Sequence, residues 1–204
     1  MSPFPDFLRQ LVVSEPSGVG KGFLIKRLSA GLPDKFGLSI SHTTRDPRPD
    51  EIDAKDYHFT SPAAFRTLIQ AGAFIEYTDS SGKMHGTSGQ AVWDVACTGR
   101  RCVLEIEAQG IRQVKQTDMN PVFVLFSPSS MSALRERLRD RGTESDAAIQ
   151  QRLATCLKEI ECAREPGAHD IVLVFDDYEN SYQNFRKVAF GERIVGDPLP
   201  AWDD

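Results

Sequence analysis

The sequence predicts an α/β fold: a parallel sheet with helices on both faces, interrupted by a smaller inserted α+β lobe. Three observations predict it. Short, strongly apolar runs recur at Leu11–Ser14, Cys102–Ile106, Pro121–Phe126 and Asp170–Phe175, the texture of strands buried on both faces. Segments of helical spacing alternate with them, which argues for parallel connections. Between about residues 43 and 95 the texture changes to polar, proline-bearing sequence with short strand-like runs.

Each element has its own signal. Leu11-Val12-Val13-Ser14 ends at a glycine-rich turn and reads as a buried strand. Phe23, Leu24, Leu28 and Leu32 are spaced for a helix over Phe23–Leu32, which Pro33 closes. Leu38–Ser41 reads as a second strand. In the lobe, Tyr57–Thr60, Phe74–Thr78 and Met84–Thr87 read as strands around a helix at Pro62–Ala71, where Ser61-Pro62 supplies an N-cap and a first-turn proline. After Cys102–Ile106 comes a helix, then the Pro121–Phe126 strand. Ser129–Arg139 and Asp146–Arg164 read as helices, Asp170–Phe175 as a strand and Tyr178–Phe190 as the last helix. Gly191–Asp204 carries two prolines and five charges and reads as a tail, flexible or draped over the surface. The predicted division is a core over 1–42 and 95–190, a lobe over 43–94 and a tail over 191–204.

Composition removes several function classes. A chain of 204 residues suits one to one and a half domains and buries roughly 70% of its unfolded surface. At 40% hydrophobic and 26% charged residues it is not disordered as a whole. No run of about 18 apolar residues offers a transmembrane helix, and Met1–Gln10 lacks the basic start and apolar stretch of a secretory signal. The net charge of −5 disfavours nucleic acid and anionic membrane as partners. The cysteines at 97, 102, 156 and 162 form no CxxC pair, and the histidines at 42, 58, 85 and 169 form no HExxH. A zinc site is not expected, and a reduced, cytoplasmic setting fits better than a disulfide scaffold. Cys102 and Cys156 lie in apolar surroundings and read as core fillers.

Residues 15–22 read Glu-Pro-Ser-Gly-Val-Gly-Lys-Gly between the first strand and the first helix, the context of a phosphate-binding P-loop. Ser17, Gly18, Val19, Gly20, Lys21 and Gly22 form the candidate cradle. Its glycines let backbone N–H groups turn inward, Lys21 reaches the outer phosphates, and the helix adds its positive end. The strict motif is broken twice. Glu15 replaces its opening glycine and Gly22 its closing Ser or Thr, which supplies a magnesium hydroxyl. On these residues alone, a glycine-rich turn with no ligand remains open.

The continuation resembles guanylate kinase. Ser41-His42-Thr43-Thr44-Arg45-Asp46-Pro47-Arg48-Pro49-Asp50-Glu51 is followed by Lys55-Asp56-Tyr57-His58-Phe59, Phe74-Ile75-Glu76-Tyr77, Gly86-Thr87, Leu104–Gly110, Arg137–Gly142 and Asp176-Asp177, in family order over about residues 10–190. The resemblance implies a P-loop core with a three-layer parallel sheet, an inserted GMP-binding lobe and a helical lid at about 135–152. It also implies transfer of a phosphoryl group from ATP to GMP, with magnesium accompanying ATP. A monomer or weak homodimer is expected, without nucleic acid or membrane.

Roles follow residue by residue from that resemblance. Arg45, Arg48 and Tyr57 would grip the acceptor phosphate, for which two guanidinium groups are well suited. Paired instead to Asp46, Asp50 and Glu51, the same arginines would form an ordinary solvated loop. Ser41, Glu76 and Thr87 would read guanine, whose N1 and N2 donors suit a carboxylate. Adenine would leave a buried Glu76 unsatisfied. Glu105 lies in an apolar strand, where an unpaired carboxylate is costly. Glu107, two residues on, is expected on the same strand face. The family has aspartates at both positions, one touching the base and one near the metal. Glu105 is therefore taken to the base and Glu107 to the waters of the magnesium. Arg137 and Arg141 share a helix face, and with Arg152 they would be the lid arginines that, with Lys21 and Arg45, stabilise transferred charge.

Departures from the family pattern weaken the donor side. Gly22 removes one magnesium oxygen, which water can replace. Glu15 sets a negative charge near the triphosphate, a repulsion of about 3 kcal/mol at about 5 Å and an effective dielectric near 20, if its side chain points inward. His85 stands where the family has a phosphate-gripping tyrosine, and Phe175 where it has asparagine. The expected activity is therefore weak. Two other readings stay open: a non-catalytic guanylate-kinase-like module that binds GMP or a phosphorylated peptide, and a kinase for another small acceptor.

Overall fold

The computed structural model describes residues 9–200 except Ser17, Ser81, Arg141, Thr143 and Glu144. In chain order the elements are β1 (Leu11–Ser14), α1 (Lys21–Gly31), β2 (Phe36–Leu38), β3 (His42–Thr43), β4 (His58–Phe59), α2 (Pro62–Gln70), β5 (Phe74–Ser80) and β6 (Lys83–Ser88). They continue with α3 (Gly89–Ala96), β7 (Arg101–Glu105), α4 (Ala108–Val114), β8 (Val122–Pro128), α5 (Met131–Asp140), α6 (Asp146–Ala163), β9 (Ile171–Phe175) and α7 (Tyr178–Ala189).

The larger sheet runs β2-β7-β1-β8-β9, with every pair parallel. Alternation along β1 divides the core. Leu11 and Val13 join one apolar cluster with Leu24, Leu28, Leu134, Ile160 and Phe185, from α1, α5, α6 and α7. Val12 joins the other with Val92, Leu104 and Ile111, from α3, β7 and α4. Helices therefore cover both faces, as the continuous apolar strands require. At the carboxyl ends of β1 and β7 the connections part, β1 leading to β2 on one side and β7 to β8 on the other, which makes the crevice where ligands of open α/β sheets collect. The second sheet, β4-β3-β6-β5, draws on residues 42–88. It packs on α2 through Phe65, whose ring stacks on Phe74 with centroids 4.5 Å apart.

Several sequence expectations shift, for physical reasons. The second strand is Phe36–Leu38 rather than Leu38–Ser41, because its register on β7 pairs Phe36 with Arg101 and Leu38 with Val103. The chain then leaves the sheet, carrying Ser41 toward the cleft and His42–Thr43 into the second sheet. The helix α3 was not anticipated. Ser88 starts it by accepting a hydrogen bond from the Ala91 N–H, a cap hidden behind a strand-like run. Phe23, expected on the apolar face of α1, is 65% exposed and packs edge-on against Tyr178. Residues 191–200 are draped along the edge strand β9. The Asp197 N–H donates to the Val172 carbonyl, and its carboxylate accepts from the Val174 N–H at 2.7 Å, which covers an otherwise unpaired sheet edge. Residues 201–204 of the tail lie outside the described residues. Cys102 and Cys156 are core fillers, and burial pushes both thiols up to about 12. No described helix is long and apolar enough to cross a membrane.

Candidate active site

A cleft of about 540 Å³ opens between the two sheets. Gly18, Gly20, Lys21 and Gly22 line it on one side, Ser41, Arg48, Tyr57, Glu76 and His85 on the other, and Glu105, Glu107 and Arg152 complete it. Residues from distant parts of the sequence thus share one cavity.

On the loop side, Gly18 has φ 102° and passes so close to α5 that a Cβ would meet Leu138 Cδ2 at 2.9 Å. Both facts require glycine. Val19 turns its side chain into the core, so only its backbone can serve the loop. Lys21 is nearly buried. Its Nζ donates to the Ile106 carbonyl at 3.3 Å and lies 3.7 Å from Glu105 Oε1. Glu15 points into the loop and accepts the Lys21 backbone N–H at 2.5 Å. Burial pushes its carboxyl above the ordinary value, against the pull of Lys21. Ser17 and Arg141 lie outside the described residues.

On the lobe side, Glu76 is buried and faces Thr87 across the β5–β6 ladder. Burial pushes its carboxyl up to about 7, although the Thr87 hydroxyl and backbone N–H both donate to it. Thr87 also shares a 3.1 Å hydrogen bond with the Ser41 hydroxyl, so the three polar groups form one connected set. Gly110 on α4 lets Glu76 approach, since a Cβ there would lie 2.6 Å from Glu76 Oε2. Tyr57 and His85 stand edge-on with ring centroids 6.2 Å apart. Burial lowers the His85 pKa, and Arg45 pushes the same way against Glu107.

Other expected residues are placed differently. Arg45 forks onto both Glu51 oxygens at 2.8 Å and lies over the Tyr57 ring. The pairing holds the Glu51 carboxyl down at about 2. Glu105 ends β7 half-exposed on the cleft, rather than buried among apolar neighbours. Glu107 is not on the strand but is the N-cap position of α4, where it accepts from the Thr78 hydroxyl at 3.4 Å. Both carboxylates nevertheless line the cleft. Arg137 is not with Arg152. It donates to the Phe175 carbonyl at 2.6 Å, stacks on that ring, and lines a second cavity of about 380 Å³ with Phe23, Asp140 and Tyr178.

The reading of the sequence missed Thr78 and Glu159, which also line the main cleft. Thr78 lies two residues beyond Glu76 on β5, and Glu159 seven beyond Arg152 on α6. Those spacings put each on the same face as an expected site residue. Among the described residues no group of three His, Cys, Asp or Glu side chains gathers as a metal site. Glu105 and Glu107 do offer the oxygen donors that magnesium accepts beside phosphates and water.

A family model described as guanylate kinase matches residues 8–191. The chain belongs to the guanylate kinase family. It is similar to guanylate kinases of pig and of human, each 41% identical over 186 residues, covering 91% of this chain and 93% and 94% of theirs. It is 43% identical over 180 residues to guanylate kinase 1 of rice, of which it spans about half the length (47%). Among solved structures it is similar to guanylate kinase from Anaplasma phagocytophilum, with a TM-score of 0.65, 27% identity and coverage of 88% of this chain and 82% of that one. The SH3-kinase fragment of tight junction protein 3 shares the fold, with a TM-score of 0.51 at 14% identity and coverage of 89% and 56%.

Proposed function

We propose that this chain transfers the γ-phosphoryl group of ATP to GMP, giving ADP and GDP. The observation that carries this reading is the shared cleft, with the glycine loop and Lys21 on one wall and Arg48, Tyr57, Ser41 and Glu76 on the other. A GMP phosphate oxygen attacks the γ-phosphorus while its bond to the bridging oxygen breaks, so no covalent intermediate on the protein is needed. The protein's work is then to position the two phosphates and neutralise their charge.

In this reading Gly18, Gly20 and Gly22, the backbone of Ser17 and Val19, and Lys21 hold the donor. Arg45, Arg48, Tyr57 and His85 hold the acceptor phosphate. Glu76, Ser41, Thr87 and Glu105 take the guanine, and Arg137, Arg141 and Arg152 offset charge on the donor. Magnesium, when bound with ATP, supplies further charge neutralisation. Glu107 would hold its waters, while Gly22 offers it no hydroxyl. We place the chain in the cytoplasm as a monomer or weak homodimer.

ADP formation from ATP, measured separately with GMP, dGMP and AMP, tests the reading. GMP is expected to support turnover and AMP not. A second reading, a binding module that retains GMP but not turnover, draws on the Glu15 carboxylate inside the donor loop. GMP binding with no GDP formed at high ATP and magnesium would favour it.

A further inference from the structure

The donor loop already holds a carboxyl group of its own. Glu15 Oε2 accepts the N–H of Lys21, the first residue of the 11-residue helix α1, and the Gly20 N–H donates to the same carboxylate. Gly20, at φ 118°, is the N-cap position of that helix and makes no side-chain cap. Consecutive amides turned inward at a helix N-terminus form an anion cradle. Here the anion is a side chain, six residues back along the chain. The Lys21 ammonium also attracts it, while Glu105 repels it. Lys21 is thus the cation that both carboxylates use.

Each amide has one hydrogen to give. A phosphate oxygen entering the loop must take those same N–H groups, so the carboxylate and the phosphate cannot both be seated. Burial also works against the ionised Glu15, and the loop amides and Lys21 offset that only in part. The carboxylate is therefore a removable occupant, held by the groups that a polyphosphate holds more strongly.

We propose that Glu15 is an internal competitor for the donor triphosphate: its carboxylate fills the loop's anion cradle in the free protein and is displaced when a polyphosphate binds. The inference rests on the kinase reading only for the identity of that polyphosphate as ATP. It goes beyond simple repulsion, because it assigns Glu15 a seat rather than a distance. Donor affinity is lowered by the work of evicting the side chain, and acceptor affinity is not.

Calorimetric titration of the full chain with inorganic tripolyphosphate, with magnesium ATP and with GMP separates the terms. Glu15→Ala is expected to bind tripolyphosphate and ATP at least about tenfold more tightly, equivalent to about 1.4 kcal/mol, with GMP affinity unchanged. Glu15→Gln keeps the shape and one acceptor oxygen but not the charge, and is expected to fall between the two. If melting curves show that Glu15→Ala does not fold, Glu15→Gln decides. Tripolyphosphate bound no more tightly by the folded variant than by the natural protein would overturn the proposal. Equal tightening for GMP would also overturn it, since that marks a general change of charge and not a vacated cradle. Tighter tripolyphosphate without GDP formation from any variant would uphold the competitor and reject the kinase reading.

Discussion

The two walls of the cleft each bring a carboxylate to a group proposed to bind phosphate, with different consequences. In the lobe, Glu51 sits in the fork of Arg45, while Arg48, Tyr57 and His85 line the cavity. That carboxylate fixes a guanidinium in place and is itself outside the lining of the cleft. In the loop, Glu15 sits directly on the Lys21 amide. A carboxylate on a side-chain cation can orient it, whereas one on backbone amides takes the ligand's place. The comparison teaches that intactness of a motif is not a matter of residue count alone. The lobe keeps its space with His85 in place of one tyrosine, and the loop keeps its lysine and inner glycines but has filled the space.

The largest expected effect lies on the loop side. Lys21→Ala removes the cation that faces both Glu15 and Glu105, and phosphoryl transfer is expected to fall by at least about 10²–10³-fold, with GMP affinity retained. Comparable loss of GMP affinity would erase the distinction between the walls.

Next comes Glu76→Gln on the lobe side. GMP affinity is expected to fall about 100-fold, because an amide cannot accept from both guanine donors. Stability is expected to move the other way. The folded-state value of about 7 lies above the ordinary 4.5, so the folded protein disfavours the charged form. The cost is absent below about pH 4.5, grows as pH rises, and is complete above about pH 7. Relief of up to about 3 kcal/mol in the variant follows at pH 8 and vanishes in acid. Denaturant melts at the two pH values read it directly. A variant less stable at pH 8 would mean that the hydrogen bonds from Thr87 outweigh the burial.

The same group sets a pH dependence for GMP. In the proposed GMP site guanine requires ionised Glu76, so affinity is expected to rise up to about tenfold per unit toward pH 7 and then level. A free-state titration of His85 near the ordinary value would give the opposite slope. Burial lowers that value, which moves the opposing slope toward more acidic pH. The GMP phosphate loses its own second proton near about pH 6, a contribution shared by every variant. The rise is therefore expected to persist in His85→Tyr and to flatten in Glu76→Gln. A rise abolished by His85→Tyr would assign it to the histidine. The smallest effect is expected from Gly22→Ser, whose Cβ would meet Glu105 only at ordinary contact distance. A few-fold lower magnesium requirement, seen in activity titrations, is its signature.

Much of this was legible in the sequence because periodicity and spacing report local geometry. The buried strands β1, β7, β8 and β9 were plain from continuous apolar runs, and the lobe from its change of texture. Ser41, Glu76, Tyr57 and Thr87 could be assigned to one site because their motifs follow one another in a familiar order. What was not legible depended on tertiary choices. Arg137 reads as a cationic helix face, but its direction is set by the Phe175 carbonyl and ring at the end of another strand. Phe23 is apolar, yet it projects from the side of α1 opposite the buried Lys21, Leu24, Ile25 and Leu28. The direction of Glu15 was invisible in one dimension, where it stood only as an unwelcome charge beside the loop.

The most direct test of the contrast is titration of the natural protein with GMP and, separately, with magnesium ATP under the same conditions. Our account predicts that GMP binds at least about tenfold more tightly than ATP and clearly more tightly than AMP. ATP bound as tightly as GMP, or GMP bound no better than AMP, would contradict it.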